Sequence, residues 1–220
     1  MTKKVIIVGG VAGGATAAAR LRRISEDVEV VLVERGEHIS FANCGLPYYI
    51  GETIKDRSKL LVQTVKGMSE RFNLDIRNLS EVLSINPENK YVTIKNLQTG
   101  EVYEESYDKL LLSPGARPIV PPIPGLNENT TLFTLRNIPD TDKIKNHVDN
   151  NNPKRAVVVG GGFIGNEMAE NLVDRGIEVT LIEMAHQIMA PIDFEMASIL
   201  HAHLKEKGVQ LILENVVQSF

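Results

Sequence analysis

The sequence predicts an α/β fold, and three observations predict it. Residues 3–36 and 154–185 repeat one pattern: basic residues, a β-branched run, a glycine cluster, a helix, a second β-branched run and a glutamate. Gly9 pairs with Gly160, Gly14 with Gly165, and Glu34 with Glu183. Between the two copies, turn signals separate short β-rich runs. A short β-branched run bounded by glycine reads as a buried parallel strand, and a helix joining two of them makes a βαβ unit. The expectation is two βαβ units with a small antiparallel β meander.

The first element requires a decision about targeting. Two lysines precede residues 5–19, VIIVGGVAGGATAAA, which carry no charge. A basic start, an apolar run and three alanines also fit a secretory signal peptide. Four glycines weaken such a helix, Arg20, Arg22 and Arg23 follow on its continuation, and the pattern recurs deep in the chain. The run is also shorter than the about 20 residues needed to span a bilayer. The protein is therefore read as cytoplasmic, with no membrane partner.

In the second copy, Gly160, Gly162 and Gly165 follow the strand 155–159 and open a helix. The first glycine permits the tight turn, the second lets a pyrophosphate approach the backbone, and the third lets helix and strand pack closely. The helix start supplies free N–H groups and partial positive charge. Glu183, at the end of the next strand, is placed for a ribose 2′-OH and repels a 2′-phosphate, which favours NADH over NADPH. The first copy departs from this pattern, because Val11 stands at the middle glycine position while Gly10 and Gly13 keep the loop small. A tight turn without a ligand is the alternative there, and Glu34 argues against it. Two tandem nucleotide sites suit electron transfer between two cofactors.

Between the copies, residues 41–73 read as mostly helical with loops. From Asp75 to Ser113 the reading is short strands, including Tyr91–Lys95 and Glu101–Tyr107, with a buried strand at Leu110–Ser113. Residues 114–125 hold five prolines and read as a crossing between domains. A polar helix over 137–150 leads into the second copy. An amphipathic helix is predicted over Phe194–Lys207 and a strand over Val209–Leu213.

Composition excludes several classes. The chain has 220 residues and a net charge of −4, which leaves no electrostatic footprint for nucleic acid. The hydrophobic share of 43% is that of a globular chain with a core. One cysteine, Cys44, excludes an internal disulfide framework, a multi-thiolate metal site and a CxxxxC dithiol. Cys44 follows the acidic end of the second strand, at the ligand edge of a doubly wound sheet. If a helix begins at Gly45, its dipole favours the thiolate. A buried structural cysteine is the alternative. As a lone redox thiol, Cys44 must cycle through a mixed disulfide, a persulfide or a sulfenic acid. The five histidines read as surface or packing residues, and no metal site is predicted.

Taken together, Gly9–Gly14 with Glu34, the segment LLLSPGARP at 110–118, and Gly160–Gly165 with Ala169 and Glu183 resemble the flavin-dependent pyridine nucleotide–disulfide oxidoreductases. The segment SFANCGLPYYIG is most similar to the single-cysteine branch of coenzyme A-disulfide reductases and NADH-dependent persulfide reductases. The resemblance implies two Rossmann-like, FAD/NAD(P)-binding units: an FAD-binding domain over 1–115, a crossover linker over 116–152, and the first half of an NAD(P)H-binding domain over 153–220. It implies FAD contacts at Gly9, Val11, Ala12, Gly14, Glu34 and Gly115, and NADH (with NADPH possible) at Gly160, Gly162, Ile164, Gly165 and Glu183. It implies catalysis by Cys44 and coenzyme A contacts at Thr16, Arg20, Arg23, Ser40, Asn43 and Arg71.

The implied reaction reduces CoA disulfide or CoA persulfide through a Cys44 mixed disulfide in a homodimer. An NADH oxidase or peroxidase using a Cys44 sulfenate is the alternative enzyme. A nucleotide-binding fragment without turnover is the alternative of another class. The family's last flavin-contacting Gly-Asp segment, the rest of its nicotinamide domain and its dimerisation domain have no counterpart in the sequence. The chain is accordingly read as a piece of an enzyme about twice as long or more.

Overall fold

The computed structural model describes residues 2–126 and 131–219. Residues 127–130, within the predicted crossover, lie outside the described residues. The elements in chain order are β1 (Lys4–Val8), α1 (Gly13–Ile24), β2 (Glu29–Val33), a 3-10 turn (Asn43–Gly45), α2 (Leu46–Ile50), a second 3-10 turn (Arg57–Leu60), α3 (Val65–Phe72), β3 (Asp75–Arg77), β4 (Ser80–Asn86), β5 (Tyr91–Asn96), β6 (Val102–Ser106) and β7 (Lys109–Leu112). They continue with α4 (Ile138–Asn151), β8 (Arg155–Val159), α5 (Phe163–Asp174), β9 (Glu178–Ile182), α6 (Phe194–Glu206) and β10 (Gln210–Ile212). The α/β class and both βαβ units are as the sequence predicts. Among the described residues no helix is long and apolar enough to cross a membrane.

The chain forms two compact units, residues 1–42 with 61–116, and residues 43–60 with 117–220. By packing, these differ from the order read along the sequence. Residues 43–60 join the later unit because Ile50, fully buried, belongs to the core of Val148, Leu172, Val179 and Leu181. The stretch read as a crossover ends in α4, whose Ile144 and Val148 enter the same core.

In the first unit the sheet order is β3-β2-β1-β7, all parallel, with Ile6 opposite Val31 and Leu110. Alternation splits its residues between two layers. Ile7, Val30 and Leu32 face α1 and α3, where Ala15, Ala18 and Met68 meet them. Ile6, Val31 and Val33 face the antiparallel sheet β4-β5-β6 through Val92 and Ile94. One strand read with the meander leaves it: β3 pairs with β2, so the meander has three strands, while β7, read as a separate buried strand, pairs with β1. β7 was expected to be buried, but Leu112 is 57% exposed because β7 is the edge of this sheet.

An ion network ties the meander to the parallel sheet. Glu105 on β6 accepts from Lys4 Nζ at 2.7 Å and from Arg77 Nη1 at 2.6 Å, and Arg77 also reaches Asp75 at 2.6 Å. Burial alone raises the Glu105 pKa, but the hydrogen bonds from Lys4 and Arg77 outweigh it and hold the carboxyl below its ordinary value. The stabilisation is therefore complete above about pH 4.3, the unfolded value, and is lost as pH falls through the lower folded value. Glu105→Gln should cost about 2–3 kcal/mol at neutral pH by leaving two cations partly unpaired, with a smaller difference near pH 3, read from urea unfolding.

In the second unit the sheet order is β10-β9-β8, also parallel. Ala156 and Val158 point to the packed side with Met168, Ala169 and Leu172 of α5. Val157 and Val159, at 59% and 56% exposure, lie on the face that the meander covers in the first unit. The strand β8, expected to be buried on both sides, is covered on one.

Candidate functional site

The two glycine loops fold alike. Gly9 and Gly160 take φ of 95° and 103°, and their amides donate to the carbonyls of Val33 and Ile182 at 2.8 and 2.9 Å. A Cβ on Gly14 would lie 1.7 Å from Gly9 O, and one on Gly165 would lie 1.9 Å from Gly160 O. Each third glycine thus lets its helix start touch the turn. No side chain caps α1 after Ala12, or α5 after Gly162. By contrast, Thr64 caps α3 and Asn137 caps α4. Open helix starts behind glycine turns are ready anion sites. A Cβ on Gly162 would meet nothing within 4 Å, so the space above the second loop is open to an approaching group. Ile164 is exposed on the first turn of α5.

Both glutamates stand where the repeat places them, and each binds its own loop. Glu34 accepts from the amides of Gly10 and Gly36, both at 2.7 Å. Glu183 accepts from Gly161 at 2.6 Å and Ala185 at 2.7 Å. The carboxylates therefore shape the loops as well as lining the carboxyl ends of the strands. The match extends further. Ser40 and Met189, both left-handed, donate to the carbonyls of Gly10 and Gly161 at 3.0 and 2.7 Å. Ile39 and Ile188 pack on Gly10 and Gly161.

Sequence reasoning missed Ser113. Its carbonyl would sit 2.0 Å from a Cβ on Gly9, so the end of β7 abuts the first loop. Gly115, with φ of 69°, follows on that same end. Sequence reasoning also missed Asn166, which bridges the second loop by donating from Nδ2 to the carbonyls of Gly161 and Gly162, both at 2.8 Å. Val11 lies in the turn before Ala12, where α1 begins.

Thr16, Arg20 and Arg23 are exposed along α1. The structure brings Arg23 and Arg71 together: their guanidinium carbons stand 5.5 and 5.2 Å from the ring centre of Phe72. Arg22 does other work, donating to Phe72 and Asn73 carbonyls at the end of α3. Cys44 is a free, exposed thiol in the 3-10 turn Asn43–Gly45, directly before α2. Its exposure removes the buried structural alternative. Tyr48, one turn later, has a pKa raised by burial first, then by Glu167, Glu170 and Cys44.

Residues 3–220 match the family model for pyridine nucleotide-disulphide oxidoreductase. The chain belongs to this family. It is 39% identical over 221 residues to a coenzyme A disulfide reductase of Staphylococcus haemolyticus, covering 99% of the chain and 48% of that protein. The solved structure of reduced Bacillus anthracis CoADR-RHD matches with a TM-score of 0.97 at 63% identity, covering all of the chain and 39% of that one. An NAD-dependent persulfide reductase from A. fulgidus matches with a TM-score of 0.92 at 35% identity, over 98% of the chain and 40% of that one. The chain spans about half the length of the curated relatives it matches.

Proposed function

We propose that the protein is an FAD- and NADH-dependent reductase of CoA disulfide or CoA persulfide, acting through Cys44 in a homodimer. The observation that carries this reading is the pair of matching, uncapped glycine loops in one chain with an exposed free thiol. The first loop, with Gly9, Val11, Ala12, Gly14, Glu34 and Gly115, fits the FAD nucleotide. The second, with Gly160, Gly162, Ile164, Gly165 and Glu183, fits NADH. FAD held by the first loop would supply a two-electron carrier between NADH and the thiol.

The chain's own step is sulfur exchange. The Cys44 thiolate attacks one sulfur of CoA disulfide, forms a Cys44–S–S–CoA bond and releases a CoA thiolate. Two electrons and a proton then return Cys44 to the thiol and release the second CoA. Arg23 and Arg71, held on Phe72, supply paired positive charge for coenzyme A phosphates, with Arg20 and Thr16 along α1 and Ser40 and Asn43 flanking the thiol in sequence. The test compares NADH oxidation by the full-length protein with CoA disulfide, CoA persulfide, hydrogen peroxide and oxygen. Turnover with the CoA substrates well above the last two supports the proposal. Preference for peroxide or oxygen makes it a sulfenate enzyme instead.

Glu183 bears on cofactor choice. Its charge opposes a 2′-phosphate, so Glu183→Ala should reduce the preference for NADH over NADPH, as a ratio of kcat/KM, at least about tenfold. The same change should weaken NADH itself, because the amides of Gly161 and Ala185 lose their acceptor. Steady-state kinetics with both nucleotides reads the two effects separately.

A further inference from the structure

The segment between β9 and α6 folds back onto the second glycine loop. Ile188, 1% exposed, seats its Cγ2 2.6 Å from where a Cβ on Gly161 would stand. The Met189 amide donates to Gly161 O at 2.7 Å, and the buried Gln187 donates to Ile192 O at 2.8 Å. The Ile188 amide takes its acceptor from another element: it donates to Nε2 of His201 on α6 at 3.2 Å. The ring centres of Phe194 and this imidazole lie 6.3 Å apart, nearly perpendicular, and the ring centre of the exposed His186 lies 5.9 Å from that of Phe194.

A ring nitrogen that accepts a hydrogen bond carries no proton. Protonation at Nε2 replaces the acceptor with a second donor and leaves the Ile188 amide facing an N–H. The charged and titratable groups around His201 are Lys205, four residues along α6, and His186 from the loop. β10, against which α6 packs, presents Gln210, Leu211 and Ile212, none of them ionisable. Burial first, then Lys205 and His186, lowers the His201 pKa from its ordinary value, so the accepting form prevails at neutral pH.

Resting on the second loop as the NADH site, we propose that His201 is a positioning residue for nucleotide binding. Its neutral imidazole anchors the Ile188 amide and so presses Ile188 onto Gly161, and protonation releases that anchor. The contribution is complete above about pH 6.5 and is lost as pH falls through the lower folded value.

The experiment measures NADH dissociation constants for the flavin-loaded, full-length protein between pH 5 and pH 8, with amide hydrogen exchange of residues 184–193 as an independent readout. The wild type should bind about three- to tenfold more weakly at the acid end, with faster exchange there. His201→Gln keeps an acceptor that does not titrate. It should bind within about twofold of wild type at pH 8 and lose the acid limb. His201→Phe should bind weakly at every pH, and His186→Gln should keep the acid limb. A His201→Gln protein with the wild-type acid limb in both readouts overturns the proposal, whether or not the phenylalanine variant folds. Failure of the wild type to bind NADH even at pH 8 refutes the nucleotide reading itself and the proposal with it.

Discussion

Cys44→Ser is expected to lower CoA-disulfide reduction at least about a thousandfold while leaving NADH-dependent flavin reduction within about threefold of wild type. The two readouts separate because they use different parts of the chain. A serine hydroxyl is not ionised near neutral pH and forms no mixed disulfide, so the substrate half of the reaction has no nucleophile. No second cysteine is present to substitute for it. The glycine loops are untouched, so nucleotide binding continues. The exposed setting of Cys44 makes the substitution structurally mild, and thermal stability should stay within about 0.5 kcal/mol. Rapid-mixing absorbance for the flavin and a thiol-release assay for the substrate read the two halves. Full disulfide reduction by the serine variant would falsify the thiol mechanism.

The second large effect concerns the loops. Gly14→Ala and Gly165→Ala place a Cβ 1.7 and 1.9 Å from the carbonyl oxygens of Gly9 and Gly160, far inside contact distance. The obstacle is backbone, so each helix start must move off its turn, with about 1–3 kcal/mol of strain and a displaced anion site. Gly14→Ala should lose FAD on purification, seen as a missing visible band. Gly165→Ala should retain flavin and bind NADH at least about tenfold more weakly.

Gly162→Ala supplies the contrast. Its Cβ meets nothing within 4 Å in the protein alone, and its backbone is extended, so folding and flavin content should be unchanged. A bound pyrophosphate would fill that space, so NADH affinity alone should fall. Loss of NADH affinity without loss of stability is the signature of a ligand-facing glycine. Unchanged affinity counts against the assignment of this loop.

Much of this fold is legible in the sequence because it is written twice. Glycine spacing and the glutamate after the second strand identify both βαβ units, since only glycine satisfies the close approaches at Gly14 and Gly165. The repetition runs beyond what the letters show. Leu79 and Glu214 follow the third strand of each sheet, take left-handed backbone, and donate to the carbonyls of Gly36 and Ala185. Neither residue type signals that conformation. The placement of β3 in the parallel sheet was missed because three residues carry too little periodicity to separate them from the meander beside them.

The packing of residues 43–60 with the second unit was equally hidden. It depends on Ile50 reaching a core formed more than ninety residues later in the chain, at Ile144, Val148 and Leu172. The strand-end positions of Glu34 and Glu183 were legible in the spacing, while their hydrogen bonds to Gly10 and Gly161 were not. Ser113 and Asn166 left no pattern to read, because each acts by closing on a glycine loop and neither belongs to a spaced motif. Phe72 was likewise unread, although it is the ring that brings Arg23 and Arg71 together.

The claim that electrons leave through a Cys44–coenzyme A mixed disulfide is tested most directly by intact and peptide mass spectrometry. The full-length protein is treated with CoA disulfide without NADH, and then with NADH added. The account predicts one coenzyme A on the peptide carrying Cys44 in the first sample and its disappearance in the second, with release of free CoA. An unmodified or merely oxygenated Cys44, in a protein that still consumes CoA disulfide with NADH, would contradict it.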